Sequence, residues 1–166
     1  MNSRHEQWMN QVLALAEKGR PWTSPNPLVG AVIVKKNRLI SGGYHTKFGA
    51  PHAEIEAIQK AGSRARGSTL YVTLEPCSTF GKTPPCTESI KRSGIKQVII
   101  GAVDPNPAHH GRGISFLKKN HIRVTKGILE KEALHQNEAY VKWITQKIPF
   151  VILKMAQSLD GKIASR

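Results

Sequence analysis

Apolar residues recur at helical spacing over residues 4–18, with Trp8, Val12, Leu15 and Ala16 on one face, and Gly19 and Pro21 end the pattern. A stiff loop from Pro21 to Pro27 follows and holds Asn26 between two prolines. Leu28 to Val34 is a continuous apolar run rich in valine and isoleucine, which predicts a buried strand. Asn37 lies in the turn to a second strand, Arg38 to Tyr44. After a loop carrying Gly49, a helix is expected from Ala53 to Ala61, ended by Gly62. Thr69 to Leu74 reads as a strand that delivers Glu75-Pro76-Cys77 to a loop rich in Ser, Thr and Gly. Pro84-Pro85 opens a helix over Cys86 to Arg92, stopped by Gly94. A strand from Lys96 to Ala102, a helix from Ile114 to Lys119 and a strand from His121 to Lys126 follow. A long helix is expected from Glu130 to Gln146, closed by Pro149, and Phe150 starts like a new strand.

Helices alternating with short apolar strands argue for a layered α/β domain. The chain has 166 residues, enough for one domain with a real core, and 39% hydrophobic against 22% charged residues is an ordinary globular balance. No apolar run approaches the roughly 18–20 residues that span a bilayer. The polar stretch Met1 to Asn10 carries no apolar signal region, so the expected location is the cytoplasm. Lys plus Arg number 25 against 11 for Asp plus Glu, a net charge of +14. That excess favours anionic partners such as nucleic acid, anionic lipid or a phosphorylated small molecule. The basic residues are scattered, so a generally basic solvated surface explains them equally well. The three tryptophans, Trp8, Trp22 and Trp143, read as packing residues, and His109-His110 as an exposed loop pair.

The chemistry concentrates in His52-Ala53-Glu54, Pro76-Cys77 and Cys86. With two cysteines in a reducing compartment, a metal site is a better reading than a disulfide. His52, Cys77 and Cys86 offer three donors suited to zinc, and catalytic zinc sites keep a position open for water. Cys86 opens a helix, where the positive dipole end favours thiolate. Glu54, in the first turn of its helix, is placed to face a ligand water rather than the ion. Zinc deaminases of nucleobases use such a His-x-Glu, Pro-Cys and Cys arrangement, with the glutamate moving protons. Each piece alone is weak; together, in this order and on these elements, they are strong. A structural zinc would need a fourth ligand, which His45, His109 or His110 offers.

Eight residues, Ser78 to Pro85, separate the cysteines. Val72-Thr73-Leu74-Glu75-Pro76-Cys77 through Gly81-Lys82-Thr83-Pro84-Pro85-Cys86 resembles the deaminase domain of the bifunctional riboflavin-biosynthesis deaminase/reductases. Ser24-Pro25-Asn26-Pro27-Leu28-Val29-Gly30, His45 with Gly49, and Gly101 to Gly113 resemble further loops of that family. The resemblance implies a three-layer cytidine-deaminase-like fold, with a central mixed sheet of about five strands flanked by helices. It implies one zinc on His52, Cys77 and Cys86, with Glu54 as proton shuttle. It also implies substrate contacts at Asn26, His45, Lys82, Asp104 and Asn106. The reaction implied is deamination of 2,5-diamino-6-ribosylamino-4(3H)-pyrimidinone 5′-phosphate, and family members self-associate, so a homo-oligomer is expected.

The physical sense of each residue is plain. Asn26 carries donor and acceptor for a pyrimidinone edge, and Lys82 is a point charge suited to phosphate. Turn formation alone would equally account for Asn26 and Asn106, which both precede proline, and for Asp104-Pro105. Residues 1–148 are expected to form the deaminase domain. Residues 149–166 resemble the opening strand of the family's reductase domain, with a vestigial NADPH contact near Ala156. A lone strand forms no cofactor site, so no reductase activity is expected of these residues. The alternatives are a nucleic-acid base deaminase acting on transfer-RNA adenosine, and a non-catalytic zinc-stabilised module. The long cysteine spacing and Lys82 argue against nucleic acid as the partner.

Overall fold

The computed structural model describes residues 2–80 and 84–163. Helix α1 (Asn2–Glu17) precedes a hairpin of β1 (Gly30–Lys35) and β2 (Arg38–Tyr44). The two-residue turn between them, Lys36 and Asn37, has φ of 49° and 58°, the positive values that match hairpin twist. Then come α2 (Ala53–Ala61), a short 3-10 turn (Gly62–Ala65), β3 (Thr69–Leu74) and α3 (Cys86–Ser93). β4 (Gln97–Ala102), α4 (Arg112–Lys119), β5 (Arg123–Lys126), α5 (Glu130–Gln136) and α6 (Glu138–Gln146) complete the order.

The five strands form one mixed sheet in the order β2-β1-β3-β4-β5. β1 runs antiparallel to both β2 and β3, whereas β3, β4 and β5 are parallel. Period-two alternation feeds two cores. Ala31 and Ile33, Leu70 and Val72, and Val98 and Ile100 face α2, α3 and α4. Val32 and Val34, Tyr71 and Ile99 face α1, where Met9 and Val12 are fully buried. The result is the expected three-layer, cytidine-deaminase-like arrangement of helices on both faces of a central sheet. Gly43 seats α2 directly on β2, since a Cβ there would lie 2.6 Å from the Ala53 carbonyl oxygen.

The mixed topology gathers one set of loops. The C-terminal ends of β2, β3 and β4 and the N-terminal start of β1 share one sheet edge, as the pairs Gly30–Tyr44, Ala31–Val72 and Leu74–Ala102 show. The loops at 23–29, 45–52 and 103–111 and the described residues 75–80 therefore meet there. This is where ligands bind in α/β sheets.

Three expectations differ from the structure. The helix expected over 130–146 is broken at Asn137, whose backbone (φ −108°, ψ 21°) ends α5 and begins α6. The cause is tertiary. The buried Asn137 side chain accepts from the Leu28 N–H at 2.7 Å and donates to the Leu28 carbonyl at 2.9 Å, clamping the strand-like run ahead of β1. Secondly, residues 151–163 form no strand and are exposed throughout, and no strand among the described residues pairs with them. Thirdly, α1 buries Met9, Val12 and Ala16, with Trp8 and Leu15 only partly covered.

Asn137→Ala leaves the buried Leu28 amide and carbonyl without partners. It is expected to lower the unfolding free energy by about 3 kcal/mol. In urea denaturation this appears as a lower midpoint with an unchanged slope.

Candidate active site and metal centre

His52 is the residue before α2, in extended conformation (φ −70°, ψ 157°), and its ring makes no capping bond. Cys77 lies in the loop after β3, and Cys86 is the first residue of α3. Their donor atoms all lie within 4.8 Å of one another. His52 Nδ1 stands 3.2 Å from Cys86 Sγ and 3.6 Å from Cys77 Sγ. A nitrogen and a sulfur on one tetrahedral zinc are separated by about 3.5 Å, so the trio fits that ion. The Cys86 N–H donates to Cys77 Sγ at 3.3 Å and the Thr87 N–H to the Cys77 carbonyl at 3.2 Å, tying Cys77 to the start of α3.

Protonation follows the same contacts. The Cys86 thiol and then His52 stabilise a Cys77 thiolate, bringing its pKa down to about 4. The hydrogen bond to Cys77 lifts His52 to about 9. The bond to Cys77, then burial, push the Cys86 thiol well up. Zinc binding needs Cys86 as thiolate and His52 as neutral imidazole, so it displaces protons from the trio. Among the described residues no fourth His, Cys, Asp or Glu joins the group. Both ring nitrogens of His45 are otherwise engaged, so a closed four-ligand structural site finds no support here.

Glu54, the second residue of α2, is 3% exposed, and burial pushes its carboxyl pKa up. It lines a cavity of about 360 Å³ together with His52, Cys77, Asn26, His45, Asp104 and Asn106. The ring of His45 meets that of His52 edge-on, 5.6 Å between centroids. His45 Nδ1 faces the Pro51 carbonyl at 3.1 Å and so must carry the proton; Nε2 then accepts from Asn26 Nδ2 at 3.0 Å. Burial, which lowers the pKa of His45, keeps it neutral in this role. The amide oxygen of Asn26 is thereby left to accept from a ligand.

Asp104 and Asn106 make the turns their proline contexts suggest. Asp104 Oδ1 accepts the Asn106 N–H at 2.9 Å, and Asn106 Oδ1 the Ala108 N–H at 3.0 Å. Both still line the cavity, so turn formation and ligand contact are compatible. Lys82 lies outside the described residues. Ala156 is on the exposed segment and lines no part of this cavity.

Several lining residues escape sequence reasoning. Trp143 is 48% exposed and Trp22 69%, so neither is the packing residue expected; Trp143 instead forms a cavity wall with Tyr140 and Ile144. His109 also lines the cavity, where a wholly exposed pair was expected; its neighbour His110 is exposed. Glu75 is buried and accepts from the N–H groups of Asp104 (3.3 Å), Gly111 (2.9 Å) and Ile114 (3.1 Å). An acidic residue ending an apolar strand was the one available signal, since burial of such a group demands partners.

The sequence profile of the cytidine and deoxycytidylate deaminase zinc-binding region matches residues 2–102. The chain belongs to this deaminase family. Within it, the riboflavin biosynthesis protein RibD of Aquifex aeolicus (strain VF5) is 51% identical over 158 residues, covering 95% of this chain and 44% of its own length. The diaminohydroxyphosphoribosylamino-pyrimidine deaminase of Buchnera aphidicola subsp. Schizaphis graminum is 46% identical over 142 residues, covering 86% of this chain and 97% of its own length. Among solved structures, the Thermotoga maritima deaminase and 5-amino-6-(5-phosphoribosylamino)uracil reductase aligns with a TM-score of 0.92 at 48% identity, over 98% of this chain and 47% of that one. The chain thus spans less than half the length of its RibD relatives and nearly the whole of the Buchnera deaminase. Among the described residues, no helix of this deaminase-family chain is long and apolar enough to cross a membrane.

Metal analysis of the purified chain is expected to give about one zinc per molecule, and Cys77→Ser or Cys86→Ser to remove most of it. Glu75→Ala strands three backbone donors and is expected to lower stability by about 3 kcal/mol, read from the denaturation midpoint.

Proposed function

We propose that this chain hydrolytically deaminates 2,5-diamino-6-ribosylamino-4(3H)-pyrimidinone 5′-phosphate, releasing ammonia in a step of riboflavin biosynthesis. The observation that carries this reading is the buried Glu54 carboxyl beside a three-donor His52–Cys77–Cys86 cluster that has no fourth protein donor among the described residues. The near full-length likeness to the Buchnera diaminohydroxyphosphoribosylamino-pyrimidine deaminase supports the substrate. A cavity of about 360 Å³ is of the size that small-molecule ligands occupy.

His52, Cys77 and Cys86 would hold zinc, which would lower the pKa of its bound water to about 7 and so supply hydroxide at neutral pH. Glu54 would take one proton of the water and pass it to the ring nitrogen as the water oxygen bonds to the amino-bearing carbon. It would then carry the remaining hydroxyl proton to the amino group, so that the C–N bond breaks, C=O forms, and the products are the oxo-pyrimidine and ammonia. Burial suits Glu54 to this exchange by bringing its pKa toward the working pH. Asn26, held by His45, offers its amide oxygen to a ring N–H. Asp104 and Asn106 face the sugar or ring, and Lys82 takes the phosphate. Residues 1–148 form the deaminase unit, and 149–166, Ala156 included, stand outside it. Self-association follows the family resemblance and is read by sedimentation.

An ammonia-release assay with this pyrimidine phosphate, run beside cytidine and an RNA, tests the reading. Glu54→Gln is expected to slow turnover about 1,000-fold with zinc content unchanged. Loss of zinc in that variant, or an undiminished rate, would sink the role given to Glu54; preference for RNA would sink the substrate.

A further inference from the structure

The family profile ends at residue 102, yet part of the cavity wall comes from further along the chain. One contact there joins two separate elements. Tyr140, on α6, donates its hydroxyl to Asp104 Oδ1 at 3.1 Å. The same oxygen already accepts the Asn106 N–H at 2.9 Å. Oδ2 of Asp104 has no partner among the described residues, and Asp104 and Tyr140 both line the cavity. A carboxylate with one oxygen doubly engaged has lost its rotational choice and presents the other. Tyr140 is itself fixed, because Asn137, which caps α6, is clamped to the backbone of Leu28, two residues after Asn26.

We propose that Tyr140 is a positioning residue for substrate recognition: it locks Asp104 so that Oδ2 is left to accept a hydrogen bond from a hydroxyl or amino donor of the substrate. This rests on the reading of Asp104 as a substrate contact. Since a carboxylate is an acceptor only, the locked group selects for ligands that place a donor opposite it and against those that place an acceptor there. The contact does not reach the metal trio or Glu54. Its effect therefore falls on binding and spares the chemical step.

Steady-state kinetics of ammonia release by the zinc-loaded full chain test this, using Y140F, D104N and the double variant. Y140F keeps the ring and its packing. It is expected to raise KM about ten-fold while kcat stays within about two-fold and zinc content and Tm are unchanged. D104N is expected to raise KM as well, and adding Y140F to D104N is expected to change nothing further. If D104N raises KM while Y140F leaves it alone, Tyr140 has no positioning role and the reading of Asp104 stands. A further ten-fold rise in the double variant, or a fall in kcat without a rise in KM, equally overturns the proposal. An unaltered KM in D104N removes Asp104 from the substrate contacts, and the role of Tyr140 with it. Turnover by the wild-type chain in the same assay tells each of these outcomes apart from failure of the deaminase reading itself.

Discussion

The arrangement of the site depends on one carboxylate. Glu75 leaves β3 two residues before Cys77 and buries itself under the loop that follows β4. Its two oxygens take the N–H groups of Asp104, Gly111 and Ile114, the last two at the start of α4. An acidic side chain buried this deeply needs hydrogen-bond partners, and the N-terminal end of a helix supplies them. The short stretch that delivers a metal donor thereby also fixes the loop that carries Asp104 and Asn106. Close packing reinforces the tie: a Cβ at Gly113 would fall 2.1 Å from the Pro76 carbonyl oxygen, so only glycine lets α4 start there.

Much of this was legible in the residues, for reasons that can be named. β2, α2 and β3 fall where the apolar runs and their Gly and Pro boundaries put them, because local pattern and tertiary packing agree there. The convergence of His52, Cys77 and Cys86 could be anticipated because the motif sets particular residue types in a particular order. What could not be read were contacts between distant segments. Asn137 breaks a helix that is locally continuous, through two bonds to a residue 109 positions away. The partners of Glu75 are backbone amides 29 to 39 residues along, which no side-chain pattern announces. Trp143 looks like any core aromatic until α6 is seen to lie beside the cavity.

The molecule divides its labour along the chain. His52, Glu54, Cys77 and Cys86, the parts suited to hydrolysing a C–N bond, all lie within the 2–102 segment shared across the deaminase family. Asp104, Asn106, His109, Tyr140 and Trp143 come after it and build the wall opposite. The His52–Cys77–Cys86 cluster and the wall opposite it thus come from separate stretches of the chain, one sheet edge supporting both. The two halves meet through Asn26, whose amide is held by His45 and whose loop is held by Asn137 through Leu28.

That single-edge arrangement leaves the other end of the sheet without chemistry. There the β1–β2 turn at Lys36 and Asn37 and the residues preceding β3 and β5 at Gly67 and His121 are exposed, with ordinary backbone bonds such as Gly67 N–H to the Gly94 carbonyl at 2.8 Å. For an engineer this is the permissive pole of the molecule. A fluorophore, an affinity tag or a fused partner attached at Lys36–Asn37 stands at the opposite end of the strands from the loops that carry His52 and Cys77.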